Sequence, residues 1–191
     1  MNNPAFLVDG QLEQRFIQNA CPNAPVRLLN CNGDKVSSSA IAKRIATHYR
    51  LLKKKYSPIV IVIDRESRCL TATEFKNEIT TLLANDNISE DFIIGIADRM
   101  IENWILADKI NVSKYAKVNL DQVPDVEGEN GKSKIRKLIK DYHETTVGVE
   151  LLKKSNPQRM FSSESFKTFF SSINNRIDCW WMNKTIDDKK F

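Results

Sequence analysis

Asp64 and Glu66 stand two residues apart, directly after the apolar run Ile59-Val60-Ile61-Val62-Ile63. In extended backbone, residues i and i+2 project to one side, so the pair can offer two carboxylates to one divalent cation. Mg²⁺ takes oxygen donors and combines a few carboxylates with water and phosphate oxygens. Two further acid groups share this setting. Asp9 follows Ala5-Phe6-Leu7-Val8 and precedes Gly10, with Glu13 four residues on. Asp98 follows Phe92–Ala97, with Glu102 one helical turn later. A single strand running into a polar loop often ends in an acid. Three apolar runs that all end so predict a shared cation, because like charges held close repel unless neutralised.

The acids meet only if the runs are parallel strands of one sheet. Pro58 opens the central run, and its unbroken β-branched character predicts a strand buried on both faces. Strands are predicted at about 5–9, 59–64 and 92–97, with a shorter one at Val26–Leu29. Between them lie amphipathic helices: Leu12, Phe16 and Ile17 after Gly10; Ile41, Ile45, Tyr49 and Leu52 after the Ser37-Ser38-Ser39 cap; Phe75, Ile79, Leu82 and Leu83 over Thr71–Ala84. A helix from Asp98 through Asp108 follows, with Met100, Ile101, Trp104 and Ile105 inward. Crossovers of ~20–30 residues imply a mostly parallel α/β sheet whose strand ends share an edge. Residues 1–110 are expected to form this core and 111–131 an acidic loop. Residues 132–191 are read as a basic helical extension, its first helix spanning Lys132–His143. Trp180-Trp181 is expected to pack the C-terminus. Gly131-Lys132-Ser133 is not a phosphate-binding loop, since Val126 stands where the first glycine belongs and no strand precedes it.

Charge is uneven. The net value is +5, yet residues 132–191 hold 13 Lys/Arg against 7 Asp/Glu, while Lys35–Lys55 has seven basic residues and no acid. Basic blocks beside an acidic cluster suit a metal site that meets a phosphate polymer. Lys132, Lys134, Arg136, Lys137, Lys43 and Arg44 are the expected nucleic-acid contacts. No apolar run has membrane-spanning length. Four dispersed cysteines and two histidines make no zinc pattern, and reduced thiols in a cytoplasmic protein are expected.

Taken in order, Val8-Asp9-Gly10 with Glu13 and Asp64-Arg65-Glu66 resemble the TOPRIM fold of topoisomerases, primases and overcoming-lysogenization-defect nucleases. Glu102-Asn103-Trp104-Ile105-Leu106-Ala107-Asp108 and Ser163-Glu164-Ser165-Phe166 are similar to motifs of a bacterial TOPRIM-like family of unknown function. The resemblance runs from about Phe6 to Phe170. It implies a three-layer sandwich with C-terminal helices and a nuclease cleaving DNA, or RNA, with Mg²⁺ or Mn²⁺, in phage defence. Glu13, Asp64 and Glu66 would be metal ligands, Asp9 a ligand or the base, and Glu102 would stand at the margin. The first acid departs from the pattern: it is Asp9 where the family usually has Glu. Two other classes use the same residues. One is an inert module acting with a partner ATPase; the other is a Mg²⁺-dependent phosphotransfer enzyme for a small substrate. A homodimer is left open.

Overall fold

A computed structural model describes residues 3–31, 33, 35–89, 91–173 and 176–177. Strands and helices alternate through the first half: β1 (Ala5–Val8), α1 (Gln11–Ala20), β2 (Val26–Leu28), α2 (Ser38–Leu52), β3 (Ile59–Asp64), α3 (Ala72–Asn85) and β4 (Phe92–Ala97). Helices α4 (Glu102–Ala107), α5 (Lys109–Ala116), α6 (Gly131–Leu138), α7 (Val149–Lys154) and α8 (Glu164–Ile173) follow. The four strands form one parallel sheet in the order β2-β1-β3-β4, with Val8 opposite Val62 and Asp64 opposite Ala97.

The sheet is buried on both faces, which is why β3 needs apolar side chains at every position rather than at alternate ones. Ala5, Leu7, Ile59, Ile61, Ile63, Ile94 and Ile96 pack against α2 and α3 through Ile41, Ile45, Phe75 and Ile79. Phe6, Val8, Val60, Val62, Ile93 and Ala97 pack against α1 and the later helices through Phe16, Trp104, Leu151 and Phe169. The result is a three-layer α/β sandwich. Local signals set the helix starts: Ser37 Oγ accepts from Ala40 N (3.2 Å), and Thr71 with Glu74 forms a reciprocal capping box.

The C-terminal helices complete the α1 face. Trp104 stacks on Phe169 at 5.3 Å, meets Phe166 edge-on at 5.4 Å, and donates from Nε1 to Ser165 Oγ (2.9 Å). Gly95 makes this docking possible, since a Cβ there would lie 2.4 Å from the Phe169 ring. The Trp-bearing motif and the Ser-x-Ser-Phe motif are therefore two halves of one packing contact.

Several boundaries differ from the sequence reading. Asp98 precedes the helix instead of starting it; α4 begins at Glu102, and Asp108 caps the separate helix α5. Helix α5 and a short 3₁₀ turn at Leu120–Gln122 occupy part of the expected 111–131 loop. Helix α6 stops at Leu138, five residues early, and a π-helical turn at Glu144–Gly148 runs into α7. Cys21 is disulfide-bonded, while Cys31 and Cys69 are free. Sequence spacing carries no information on which thiols meet in space, so the expectation of four reduced thiols fails at Cys21. Trp180-Trp181 lies outside the described residues. Among those residues no helix is long and apolar enough to cross a membrane.

Candidate functional site

In an open parallel sheet, ligands bind beyond the carboxyl ends of the strands, where the strand order reverses. With β2 on one side of β1 and β3 on the other, that point lies between β1 and β3. Asp9 follows the first of these strands and Asp64 ends the second. A cleft of about 490 Å³ opens there, lined by Asp9, Glu13, Asp64, Glu66 and Glu102 together with Lys132, His143, Glu144 and Thr145.

Each acid is placed by its own element. Asp64 lies on the same sheet face as Val60 and Val62, toward α1, because alternate strand residues share a side. Its Oδ1 is buried without a hydrogen-bond partner. Glu13 sits in the first turn of α1, where the backbone amides of Gly10 and Glu13 partly offset the cost of ionising its buried carboxyl. Gly10 leaves room for it, since a Cβ there would come 2.9 Å from Glu13 Oε2 and push the carboxylate aside. Beneath Glu13 an apolar void of about 40 Å³ is lined by Phe6, Val62, Ile101 and Trp104. Asp9 accepts from Cys31 N (2.8 Å), and Glu66 accepts from Gly33 N (3.4 Å) with a left-handed backbone at φ 58°. Glu102 opens α4 and accepts from Tyr142 Oη (3.3 Å).

Burial and mutual repulsion raise these carboxyls together. Desolvation is the largest cause at each of Asp9, Glu13, Asp64 and Glu102. Asp9 is pushed up to about 6, with the Glu66 charge adding to burial. Glu13 and Asp64 are held well above the usual carboxylate range. Asp64 is the focus, because Glu13, Glu102, Asp9 and Glu66 all repel its charge. Between an acid's unfolded value and its raised folded value, the native state holds the extra proton. Stability therefore falls as pH rises through that interval. In metal-free protein, the loss should begin near pH 4, pass through about 6 at Asp9 and continue upward. Melting temperatures of wild type and Asp64→Asn across pH 4–8 test this. The variant should lose less stability, with the gap between the two curves widening toward the upper end. Parallel curves would show that Asp64 is not under this strain.

The residues suit a hard divalent cation by chemistry: all five donors are carboxylates, and one buried oxygen lacks a partner. Among the described residues, no group of three or more His, Cys, Asp or Glu side chains is already arranged to hold a metal ion.

The basic residues divide. Lys132 lines the cleft and pairs with Glu144. Lys134 pairs with Glu129 (2.8 Å), Arg136 approaches Glu144 (3.7 Å), and Lys137 is exposed, all outside the cleft lining. Lys43 is exposed on α2. Arg44 donates instead to the Leu29 (3.1 Å) and Asn30 carbonyls, so it staples the loop after β2. Arg68 does the same for Gly33 O (3.1 Å) and Val36 O (2.9 Å), and Arg65 is paired with Asp98. Asp98 is thus withdrawn from the acid cluster. Sequence reading missed His143, Glu144 and Thr145 as cleft residues, because nothing in their spacing ties them to the sheet edge.

Fold and site together define a parallel α/β protein with an acidic cleft at the switch point of its sheet. The family described as Domain of unknown function (DUF4276) matches residues 8–174, and the chain belongs to it. No curated protein and no solved structure matches the chain.

Proposed function

We propose that the protein is a metal-dependent phosphodiesterase acting on nucleic acid, DNA before RNA. The observation that carries this reading is Asp64: a buried, unpartnered carboxylate oxygen at the focus of four other acids, at the point where parallel sheets bind ligands. Asp64, Glu66 and Glu13 are the residues to hold Mg²⁺ or Mn²⁺, with Asp9 as a further ligand or the base and Glu102 at the margin. When bound, such a cation polarises a phosphoryl oxygen and supplies a nucleophilic water near neutral pH. Asp9, already poised near 6, is suited to take a proton from the attacking water. Lys132 is placed to offset charge developing on the phosphate. The test is incubation of purified protein with plasmid, linear and single-stranded DNA and with RNA, in Mg²⁺, Mn²⁺ or EDTA. Cleavage that EDTA abolishes supports the reading; intact substrates in both metals refute it.

The cleft volume also falls within the range of small-molecule sites, which favours, as second reading, an enzyme acting on a small phosphate ester. The basic faces separate the two. Lys134→Ala, Arg136→Ala and Lys137→Ala combined should weaken DNA binding and flatten the log–log salt slope by about 1–3. Their exposed ion pairs contribute little to stability, so the melting temperature should hold. An unchanged salt slope would return these residues to plain solvation and favour the small substrate.

A further inference from the structure

The cleft contains a proton-carrying group that metal binding leaves unused. His143 lines it beside Lys132, Glu144 and Thr145. Its neighbours are fixed from several directions. Tyr142 Oη donates to Glu102, Arg15 Nη1 donates to Thr145 O (3.2 Å), and Glu144 takes Lys132 and Arg136. Immediately after His143 the chain makes its π-helical turn, a rare conformation that concentrates at functional sites. The ring itself contacts Thr145 Oγ1 through Nδ1 (3.1 Å), and among the described residues Nε2 has no partner. This segment is tethered to α1, to α4 and to α6, and it presents one imidazole to the space that the acids line.

Hydrolysis of a phosphodiester needs two proton movements. The attacking water must lose a proton, and the leaving alkoxide, a poor leaving group, must gain one. The carboxylates must be ionised to hold a cation, and Lys132 is engaged by Glu144. Imidazole is the side chain that exchanges protons near neutral pH. We propose that His143 is the proton donor to the leaving oxygen, a role that rests on the hydrolytic reading above. The water oxygen bonds to phosphorus, and its proton passes to a cleft carboxylate. The phosphorus–oxygen bond to the leaving group breaks with its electron pair, and the Nε2 proton goes to that oxygen. The products are an alcohol and a phosphomonoester, and solvent restores both protonation states.

His143→Gln, on an exposed residue, tests this with two substrates assayed in Mn²⁺. One is a single-stranded DNA oligonucleotide. The other is the p-nitrophenyl ester of thymidine 5′-phosphate, whose leaving group departs unprotonated. The variant should lose about 10²- to 10⁴-fold in kcat on the oligonucleotide and less than about threefold on the ester. Its melting temperature and metal-induced stabilisation should match wild type. Equal losses on both substrates, or none on the oligonucleotide, overturn the role of His143 while leaving metal-dependent hydrolysis standing. Failure of wild type to cleave either substrate overturns both.

Discussion

Asp64→Asn should leave the protein folded and abolish most of its response to Mg²⁺. The substitution keeps the side-chain shape and removes the carboxyl whose ionisation four neighbouring acids oppose, and with it a charge that a bound cation would meet. A ligand at 100 times its dissociation constant stabilises the native state by about 2.7 kcal/mol. For a chain of this length that amounts to a melting shift of roughly 5–10 °C. Wild type should show such a shift with Mg²⁺ or Mn²⁺, and the Asn variant little of it. Nuclease activity, where wild type has it, should disappear with the charge. Without metal the variant should be no less stable than wild type at pH 7, because burial and four acids oppose the ionised form that Asp64 adopts freely only on unfolding. Equal metal responses in the two proteins would take Asp64 out of the site, and most of the functional reading with it.

Asp108→Ala should do the reverse. Asp108 is fully buried, caps α5 by accepting from Asn111 N (3.2 Å), and accepts from Asn156 N (2.8 Å). It also takes a two-pronged contact from Arg159, Nε at 2.8 Å and Nη2 at 3.2 Å. Removing one partner of a buried pair strands the other, at a cost of about 3–5 kcal/mol. The melting temperature should drop by roughly 6–20 °C, while the metal-induced shift of the remaining folded protein stays as in wild type. A loss under about 1 kcal/mol would show that the Arg159 pair is not holding the start of α5 to the turn between α7 and α8. A lost metal response would move Asp108 into the site. The two variants together separate acids that bind from acids that brace.

That separation marks the boundary of what the chain discloses in one dimension. Strands and helices were readable because their signals are local. The β-branched run at 59–63, the 3–4 spacing of Ile41, Ile45, Tyr49 and Leu52, and the Thr71–Glu74 box each involve residues within a turn or two. The parallel sheet followed from alternation and crossover length, and so did the placing of Asp9, Asp64 and Glu102 near one edge. The early ends of the helices were harder, since Asp98 and Asp108 have cap chemistry but their partners, Arg65 and Arg159, come from 33 and 51 residues away.

By itself, then, the sequence determined the α/β class, the buried central strand and the acids at three strand ends, because hydrophobic periodicity and strand-terminal polarity are encoded residue by residue. Only the tertiary structure decided which charges remain for chemistry. Strand order put Asp9 and Asp64 at the switch point. Pairing withdrew Asp98, Asp108, Arg44 and Arg65, and the turn after α6 brought His143 into the cleft. A carboxylate or guanidinium has the same composition whether it is paired or free. Its role is set by which partner lies within about 3 Å, the reach of a hydrogen bond, and that distance exists only once segments remote in sequence have packed.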